Sequence, residues 1–222
     1  MPRFHAVVFD LDGTLLDTLS DIAAAANEVL VQHDAQPLPV NNYRHLVGDG
    51  VVSLFARAFS SESDDDPRIA DCAMQFREAY GRTWNQQTQP YAGIIELLEM
   101  LSSQGIVTAV LSNKPHEFTK RCVGEFLGHH LFGSVLGQRE GVPRKPHPAG
   151  AVEVAEQLGV PCQQCAYLGD TSTDMQTARA AGMFAVGVSW GFRPRQELVE
   201  SGASRVIDDP LEFLELLEVE PT

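Results

Sequence analysis

Short apolar runs alternate with helical patterns along most of this chain. Six runs resemble strands, the first four having the continuous apolar character of strands buried on both faces: residues 4–9, 105–111, 165–169, 184–188, 134–137 and 205–207. Between them, apolar residues recur at helical spacing in stretches that end at a glycine, namely 93–105, 147–159 and 173–182. The alternation predicts an α/β fold with a Rossmann-like parallel sheet flanked by helices.

Residues 15–89 interrupt this rhythm, because they contain helical patterns and no convincing strand. We therefore expect an all-helical cap domain at 15–89, inserted into an α/β core domain formed by 1–14 and 90–222. The acidic run at 63–67 is expected to form a solvated loop that caps the next helix.

The composition limits what the protein binds. Its 222 residues are 44% hydrophobic, enough for a substantial core, and the formal net charge is −14. A chain this acidic is not expected to bind nucleic acid or an anionic membrane. An anionic substrate would need a local positive charge, from a metal ion or from a few placed cations.

Cysteines and hydropathy indicate a location. No apolar run approaches the roughly 20 residues of a membrane-spanning helix, and the N-terminal residues lack a signal-peptide pattern. We expect a cytoplasmic protein with four free thiols. Cys162 and Cys165 have the CxxC spacing of a redox or zinc half-site, but no second such pair accompanies them, so we interpret them as core packing.

Four polar motifs lie at strand ends or helix starts, where ligands bind in open parallel sheets. In chain order they are Asp10-x-Asp12-Gly13-Thr14, Ser112-Asn113-Lys114, Arg144-Lys145-Pro146-His147-Pro148 and Gly169-Asp170-Thr171-x-x-Asp174. Their four aspartates would repel one another at a shared site unless a cation were present. Oxygen ligands of this kind suit Mg²⁺, which also binds water and substrate phosphate oxygens. The hydroxyl of Ser112, backbone N–H groups near Asn113 and the charge of Lys145 suit a phosphoryl group. Lys114 is expected to shape its loop rather than to act chemically.

The first motif carries two carboxylates for two tasks. Asp10 and Asp12 are two positions apart on an extended segment and therefore point to the same side. Asp10 is placed to attack phosphorus as a carboxylate nucleophile. Asp12 is placed to protonate the departing alkoxide and then to deprotonate the attacking water. Gly13 allows the chain to turn close to the site, and Thr14 is expected to orient the Asp10 region by hydrogen bonding.

The motifs "DLDGT", "SNK", "RKPHP" and "GDTSTD", in this order, resemble those of the haloacid dehalogenase superfamily of phosphotransferases. The resemblance covers the whole chain, including a helical cap inserted after the first motif. It implies that Asp10 is the nucleophile and Asp12 the general acid/base. It also implies a Mg²⁺ cofactor held by the Asp10 carboxylate, the Asp12 backbone carbonyl and Asp170. Thr14, Thr171 and Asp174 would support these ligands, and Ser112, Asn113 and Lys145 would bind the phosphoryl oxygens.

Within the superfamily, the pattern most resembles the phosphoglycolate phosphatases. Asp12 speaks against dehalogenases, which lack the acid/base there, and Ile22 stands where phosphohexomutases carry a histidine. Ser112 replaces the threonine that is common in phosphoglycolate phosphatases but keeps the hydroxyl. The expected activity is hydrolysis of a small phosphate ester, with 2-phosphoglycolate the leading candidate. The alternatives are a phosphatase for a sugar phosphate, nucleotide or pyrophosphate, and a non-catalytic regulatory relative.

Substrate choice is expected to come from the cap. Arg44 is placed to meet a substrate carboxylate, and Gly48 to let backbone N–H groups approach it, although a surface arginine and a helix-start turn are the ordinary alternatives. For Asp170 to Asp174, the ordinary alternative is a helix N-cap with an acid in the first turn. A monomer and a small homo-oligomer are equally compatible with the sequence.

Overall fold

A computed structural model describes residues 3–61 and 66–218 of the chain. In chain order, the strands are β1 Ala6–Phe9, β2 Leu16–Asp17, β3 Gln89–Pro90, β4 Val107–Pro115, β5 Ser134–Gln138, β6 Cys165–Gly169, β7 Phe184–Val188 and β8 Arg205–Ile207. The α-helices are α1 Leu19–Gln32, α2 Val51–Ala58, α3 Pro67–Thr83, α4 Ile94–Ser103, α5 His116–Phe126, α6 Ala149–Leu158, α7 Ser172–Ala181, α8 Arg195–Glu200 and α9 Glu212–Glu218.

Six of the strands form one parallel sheet in the order β5-β4-β1-β6-β7-β8. β1 lies between β4 and β6, with Phe9 opposite Val110 on one side and Leu168 on the other. The chain fills one half of the sheet before β6 starts the other half, so β1 and β6 flank the point where the strand order reverses. This confirms the predicted α/β fold and makes the carboxyl ends of these strands the expected ligand site.

Both faces of the sheet are buried. One face packs against α6, α7 and α8 through Val8, Tyr167, Val154, Met175 and Leu198, all of which are fully buried. The alternate strand residues, which point to the opposite face, are also buried, as Val7 and Phe9 show. Burial on both faces explains why these strands are continuously apolar rather than alternating.

Two helices, one strand extension and the short strands β2 and β3 differ from the sequence-based expectation. α5 and α8 were not identified from the sequence. β4 was expected to end at 111, but it continues to Pro115, with a register irregularity between Leu111 and Pro115. Irregularities of this kind re-aim side chains near functional sites, and this one carries Ser112, Asn113 and Lys114.

The chain divides into two compact units, Met1–Leu16 with Pro90–Thr222, and Asp17–Gln89. Below, the first is the α/β unit and the second the helical unit. The sequence analysis placed the boundaries at 14/15 and 89/90. β2 and β3 form a separate two-stranded pair at the two crossings.

The helical unit contains α1, α2 and α3 and a 3₁₀ turn at Val40–His45. α1 and α3 bury apolar faces, and Phe76 stacks on Tyr80 with 5.4 Å between ring centroids. The side chain of Asp66 accepts the backbone N–H of Arg68 and caps α3, as expected for the end of the acidic run. Residues 62–65, which include most of that run, lie outside the described residues.

The cysteines belong to the packing of the fold. All four carry free thiols, and Cys165 lies in the core with Cys162 packed against it, in agreement with the core-packing interpretation of the CxxC pair. Burial raises the pKa of the Cys165 thiol to about 12, which keeps it protonated near neutral pH. Among the described residues, none of the helices is long and apolar enough to cross a membrane.

Candidate active site

The first motif begins where β1 ends, at the centre of the sheet. Asp10 follows Phe9 directly, and its backbone N–H donates to the carbonyl of Leu168 on β6 (2.9 Å). Asp170 follows the end of β6 at Gly169. The parallel pairing of β1 and β6 therefore brings the two aspartates to the same edge of the sheet.

Three carboxylates meet at this edge. Asp10, Asp170 and Asp174 each present an oxygen within 4.8 Å of the others, and all three side chains are buried. Burial raises the pKa of Asp10 to about 7, against the opposing effect of Lys145, and the neighbouring Asp174 raises it further. Burial and the charges of Asp174 and Asp10 likewise raise the pKa of Asp170 well above its ordinary value. With all three carboxylates ionised, the site would carry more negative charge than Lys145 neutralises.

Lys145 is the cation within this cluster. Its Nζ lies 2.9 Å from Oδ1 of Asp10 and 2.7 Å from Oδ1 of Asp174. Burial alone would lower the pKa of the ammonium group, but Asp10 and Asp174 raise it above its ordinary value, so Lys145 stays charged. The side chain of Asn113 holds the Lys145 backbone on both sides, accepting its N–H (3.0 Å) and donating to its carbonyl (3.2 Å). Asn113 therefore positions the Lys145 backbone with its side chain.

Asp170 is held from both sides within the α/β unit. Oδ1 accepts the hydroxyl of Thr14 (3.1 Å), and Oδ2 accepts the backbone N–H of Phe192 (2.8 Å). A Cβ at Gly13, where φ is +85°, or at Gly191 would collide with this carboxylate. These two glycines allow the first motif and the loop after β7 to close around Asp170. The sequence analysis placed Thr14 but missed the loop after β7, whose contact with Asp170 is made by a backbone N–H.

Asp174 contacts both the residue that caps α7 and the ammonium group of Lys145. Its Oδ2 accepts the backbone N–H (3.1 Å) and the hydroxyl (2.7 Å) of Thr171, the residue that caps α7. This is the ordinary helix-start arrangement considered from the sequence. Its Oδ1, however, contacts Lys145 and lies near the hydroxyl of Tyr167 (3.4 Å). Asp174 therefore joins the start of α7 to the carboxylate cluster.

Asp12 lies apart from the carboxylate cluster and contacts a different lysine. Nζ of Lys114 is 3.0 Å from Oδ1 and 3.1 Å from Oδ2 of Asp12. The expectation that Lys114 only shapes its loop overlooked this side chain. One compositional signal was available, because Lys114 is one of only three lysines in the chain and another of them is Lys145.

The remaining predicted residues are distributed between the two units. Ser112 is buried at the irregular end of β4, and its hydroxyl accepts the backbone N–H of Lys114 (3.3 Å). Arg44 and Gly48 belong to the helical unit: Arg44 is half-buried on the 3₁₀ turn, and Gly48 precedes α2. His147 is exposed, and its ring accepts the backbone N–H of Ala149 at the start of α6.

The cluster has the chemistry of a site for a divalent metal ion. Its oxygen donors are carboxylates, the ligand type that Mg²⁺ prefers, and three carboxylates against one ammonium leave a negative excess for a cation to neutralise. Asp10, Asp170 and Asp174 each offer a carboxylate oxygen to such an ion.

Comparisons with known proteins agree on one family. The family model of the haloacid dehalogenase-like hydrolases matches residues 7–188 of this chain. A phosphoglycolate phosphatase of Pseudomonas fluorescens strain Pf0-1 is 33% identical over 213 residues, which cover 94% of this chain and 77% of that protein. A phosphoglycolate phosphatase of Xylella fastidiosa strain 9a5c is 34% identical over 194 residues, covering 87% and 83% of the two chains.

Solved structures share the fold over nearly the whole chain. A Lactobacillus delbrueckii subsp. bulgaricus protein, provisionally assigned as a phosphoglycolate phosphatase, superposes with a TM-score of 0.92 at 31% identity, covering 99% of this chain and 100% of that one. A hydrolase from Pseudomonas syringae superposes with a TM-score of 0.81 at 26% identity, covering 97% and 98%. The chain therefore belongs to the haloacid dehalogenase-like hydrolases.

Proposed function

We propose that this protein is a Mg²⁺-dependent phosphomonoesterase that acts through an aspartyl-phosphate, with 2-phosphoglycolate as its substrate. The observation that carries the proposal is the pair of differently placed carboxylates in the first motif. Asp10 lies in the buried cluster with Lys145, whereas Asp12 lies outside it against Lys114. The two carboxylates thus have the separate environments that a nucleophile and a proton carrier need.

In the first step, a carboxylate oxygen of Asp10 attacks phosphorus. The bond between phosphorus and the ester oxygen breaks, and its electron pair stays on the departing oxygen. The carboxyl group of Asp12 gives its proton to that oxygen, so the alcohol leaves neutral and Asp12 becomes a carboxylate. Lys145 and the Ser112 hydroxyl bind the phosphoryl oxygens and stabilise their charge.

In the second step, water attacks the aspartyl-phosphate. The carboxylate of Asp12 takes a proton from the water, the bond between phosphorus and the Asp10 oxygen breaks, and its electron pair returns to Asp10. Inorganic phosphate is released, Asp10 is again a carboxylate, and Asp12 has regained the proton it gave. Proton, electron pair and phosphoryl group therefore balance over the cycle.

The Asp10 and Asp170 carboxylates and the Asp12 backbone carbonyl would hold Mg²⁺. When bound, the ion offsets the negative charge of the cluster and polarises the phosphoryl group. Thr14 and the backbone N–H of Phe192 orient Asp170 toward this role, and Lys145 with Thr171 restrains Asp174.

The choice of 2-phosphoglycolate is supported by the relatives that carry this name at 33% and 34% identity. For this substrate the cap must recognise a carboxylate. Arg44 remains the proposed partner of that carboxylate, with Gly48 four positions later in the sequence. We further propose a small phosphorylated metabolite as the only partner class, with no nucleic acid or membrane. A cytoplasmic location, and a monomeric or small homo-oligomeric state, remain predictions from the sequence.

A panel of phosphate esters tests the proposal. We expect kcat/KM with Mg²⁺ to be at least about tenfold higher for 2-phosphoglycolate than for a sugar phosphate, a nucleoside monophosphate or pyrophosphate. Ethyl phosphate, which lacks the carboxylate, is the matched control substrate. Arg44→Gln should raise KM for 2-phosphoglycolate and leave KM for ethyl phosphate unchanged.

Two results would contradict the proposal. A preference for another member of the panel would retain the mechanism and replace the substrate. A complete lack of hydrolysis of every ester and of 4-nitrophenyl phosphate, in folded protein with Mg²⁺, would favour a non-catalytic regulatory role instead.

A further inference from the structure

Lys114 is a buried cation to which the mechanism above gives no task. Its side chain is 4% exposed, and that of its partner Asp12 is 12% exposed. Its Nζ reaches both oxygens of Asp12, at 3.0 and 3.1 Å. A charge-assisted contact to both oxygens fixes the direction of a carboxylate more strongly than a contact to one of them.

The backbone of Lys114 is fixed by its surroundings. Its N–H donates to the Ser112 hydroxyl (3.3 Å), and its carbonyl accepts the hydroxyl of Thr119 (3.1 Å) from α5. A Cβ at Gly137 on β5 would lie 2.6 Å from this carbonyl, so a glycine there allows β5 to pack closely against Lys114. The ammonium group therefore extends from a rigid base.

Asp12, in contrast, lies beyond the end of β1 and outside the carboxylate cluster. A free aspartate side chain samples several rotamers, and proton transfer requires one of them. The contact with Lys114 selects a single direction for both oxygens of Asp12. The lysine composition agrees with a specific role, since two of the three lysines are buried against first-motif aspartates and only Lys120 is exposed.

We propose that Lys114 is a positioning residue that orients the Asp12 carboxyl group for both proton transfers. This rests on the proposed function, because it assigns to Asp12 the transfers described above. Lys145 and Lys114 then have separate roles. Lys145 acts on the phosphoryl group together with Asp10, whereas Lys114 acts on the leaving group through Asp12.

Single-turnover kinetics of Lys114→Met test this division. Alkyl esters such as 2-phosphoglycolate release an alkoxide and need the proton of Asp12, whereas 4-nitrophenyl phosphate releases a stable phenolate and needs it far less. We expect glycolate release to slow by about 10²-fold and nitrophenol release by less than about tenfold. The aspartyl-phosphate should also persist after acid quench, because activation of water slows. Lys120→Met is the matched control and should leave all rates unchanged.

A second measurement detects the contact between Lys114 and Asp12 in the absence of turnover. With three lysines, the ammonium groups can be resolved by NMR of protein labelled at lysine, and Lys114→Arg identifies the Lys114 signal by its loss. Asp12→Asn should shift that signal and leave the Lys120 signal in place. Lys114→Arg should also restore part of the glycolate-release rate lost in Lys114→Met, since it keeps the charge.

Other outcomes would overturn the proposal. Equal slowing of glycolate and nitrophenol release would remove the link to Asp12. A rise in KM without a change in either release rate would assign Lys114 to substrate binding. If the unmodified protein fails to hydrolyse 2-phosphoglycolate, the proposed substrate is wrong, and ethyl phosphate then supplies the alkyl ester on which the same ratio decides the role of Lys114.

Discussion

Each unit of the protein buries aspartates, but the two units surround them differently. In the helical unit, Asp21 is 1% exposed and accepts hydrogen bonds from the N–H of Gln87 and from the N–H and hydroxyl of Thr88. In the α/β unit, Asp10 and Asp170 face other carboxylates and share a cluster with one ammonium group.

The difference distinguishes a carboxylate that holds a fold together from one that is kept for chemistry. Donors around Asp21 stabilise its charge and join the start of α1 to the segment before β3. Burial of Asp10, together with the charge of Asp174, raises its pKa and leaves its negative charge to be offset by a cation. Substitutions at the two places should therefore have opposite consequences for stability and activity.

Asp10→Asn should produce the largest change. We expect turnover of 2-phosphoglycolate to fall by about 10³-fold or more, because the nucleophile is lost. The free energy of unfolding in urea should not decrease, because one of three mutually repelling carboxylates is removed. Ordinary activity in this variant would contradict the covalent mechanism.

In contrast to Asp10→Asn, Asp21→Asn should reduce the stability of the protein. An amide has one acceptor oxygen where the carboxylate has two, and it places N–H donors where the second oxygen stood, so the buried hydrogen-bond network is weakened. We expect the free energy of unfolding to decrease by about 2–3 kcal/mol in urea titrations. Glu78→Gln, the same chemical change at an exposed position on α3, should stay within about 0.5 kcal/mol of the unmodified protein. If the two variants lost equal stability, the assignment of Asp21 as a structural carboxylate would be wrong.

The effects of Mg²⁺ and pH on stability should further distinguish the cluster around Asp10 from the surroundings of Asp21. The Asp10 pKa rises from 3.8 to about 7 on folding, so across this window the folded state keeps a proton that the unfolded state has lost. Stability of the metal-free protein should therefore fall as pH rises from about 4 to about 7, and the raised pKa of Asp170 acts in the same direction. Mg²⁺ binding requires that proton to leave, so Mg²⁺ should raise the melting temperature more at about pH 8 than at about pH 5.

Thermal unfolding in EDTA and in Mg²⁺ across this pH range checks the prediction. Asp10→Asn is the control and should reduce the pH dependence of the metal-free protein. A Mg²⁺ effect independent of pH would show that the ion does not bind at the cluster.

Thr88→Val should reduce stability by less than Asp21→Asn does. It removes one donor from Asp21 while keeping the shape of the side chain, and we expect a loss of about 1–2 kcal/mol in urea titrations. Thr83→Val removes a hydroxyl that donates to the carbonyl of Ala79 in its own helix, and its effect should be smaller. Equal effects at the two threonines would mean that the bond to Asp21 adds nothing specific.

Much of the fold was predictable because local patterns report local structure. The buried runs at 165–169 and 184–188 coincide with β6 and β7, and the glycine at 182 ends α7 as expected. α5 and α8 were missed. α8 is six residues long, too short for a clear helical period, and α5 follows directly on the extended end of β4.

The candidate site was predictable as far as motifs at strand ends could indicate it. Asp10, Asp170 and Asp174 converge because β1 and β6 are parallel neighbours, an arrangement typical of the predicted fold class. The surroundings of each carboxylate were harder to predict, because their donors come from unremarkable sequence. The backbone N–H of Phe192, for example, has no sequence signature.

By itself, the sequence determined the alternation of strands and helices and the order of the four motifs. Each of these follows from periodicity, turn chemistry and residue type within a short window. Only the tertiary structure decided which lysine meets which aspartate. Lys114 is 102 positions from Asp12, and Lys145 is 29 positions from Asp174. Contacts over such separations depend on strand order, register and the irregular end of β4, which no local pattern encodes.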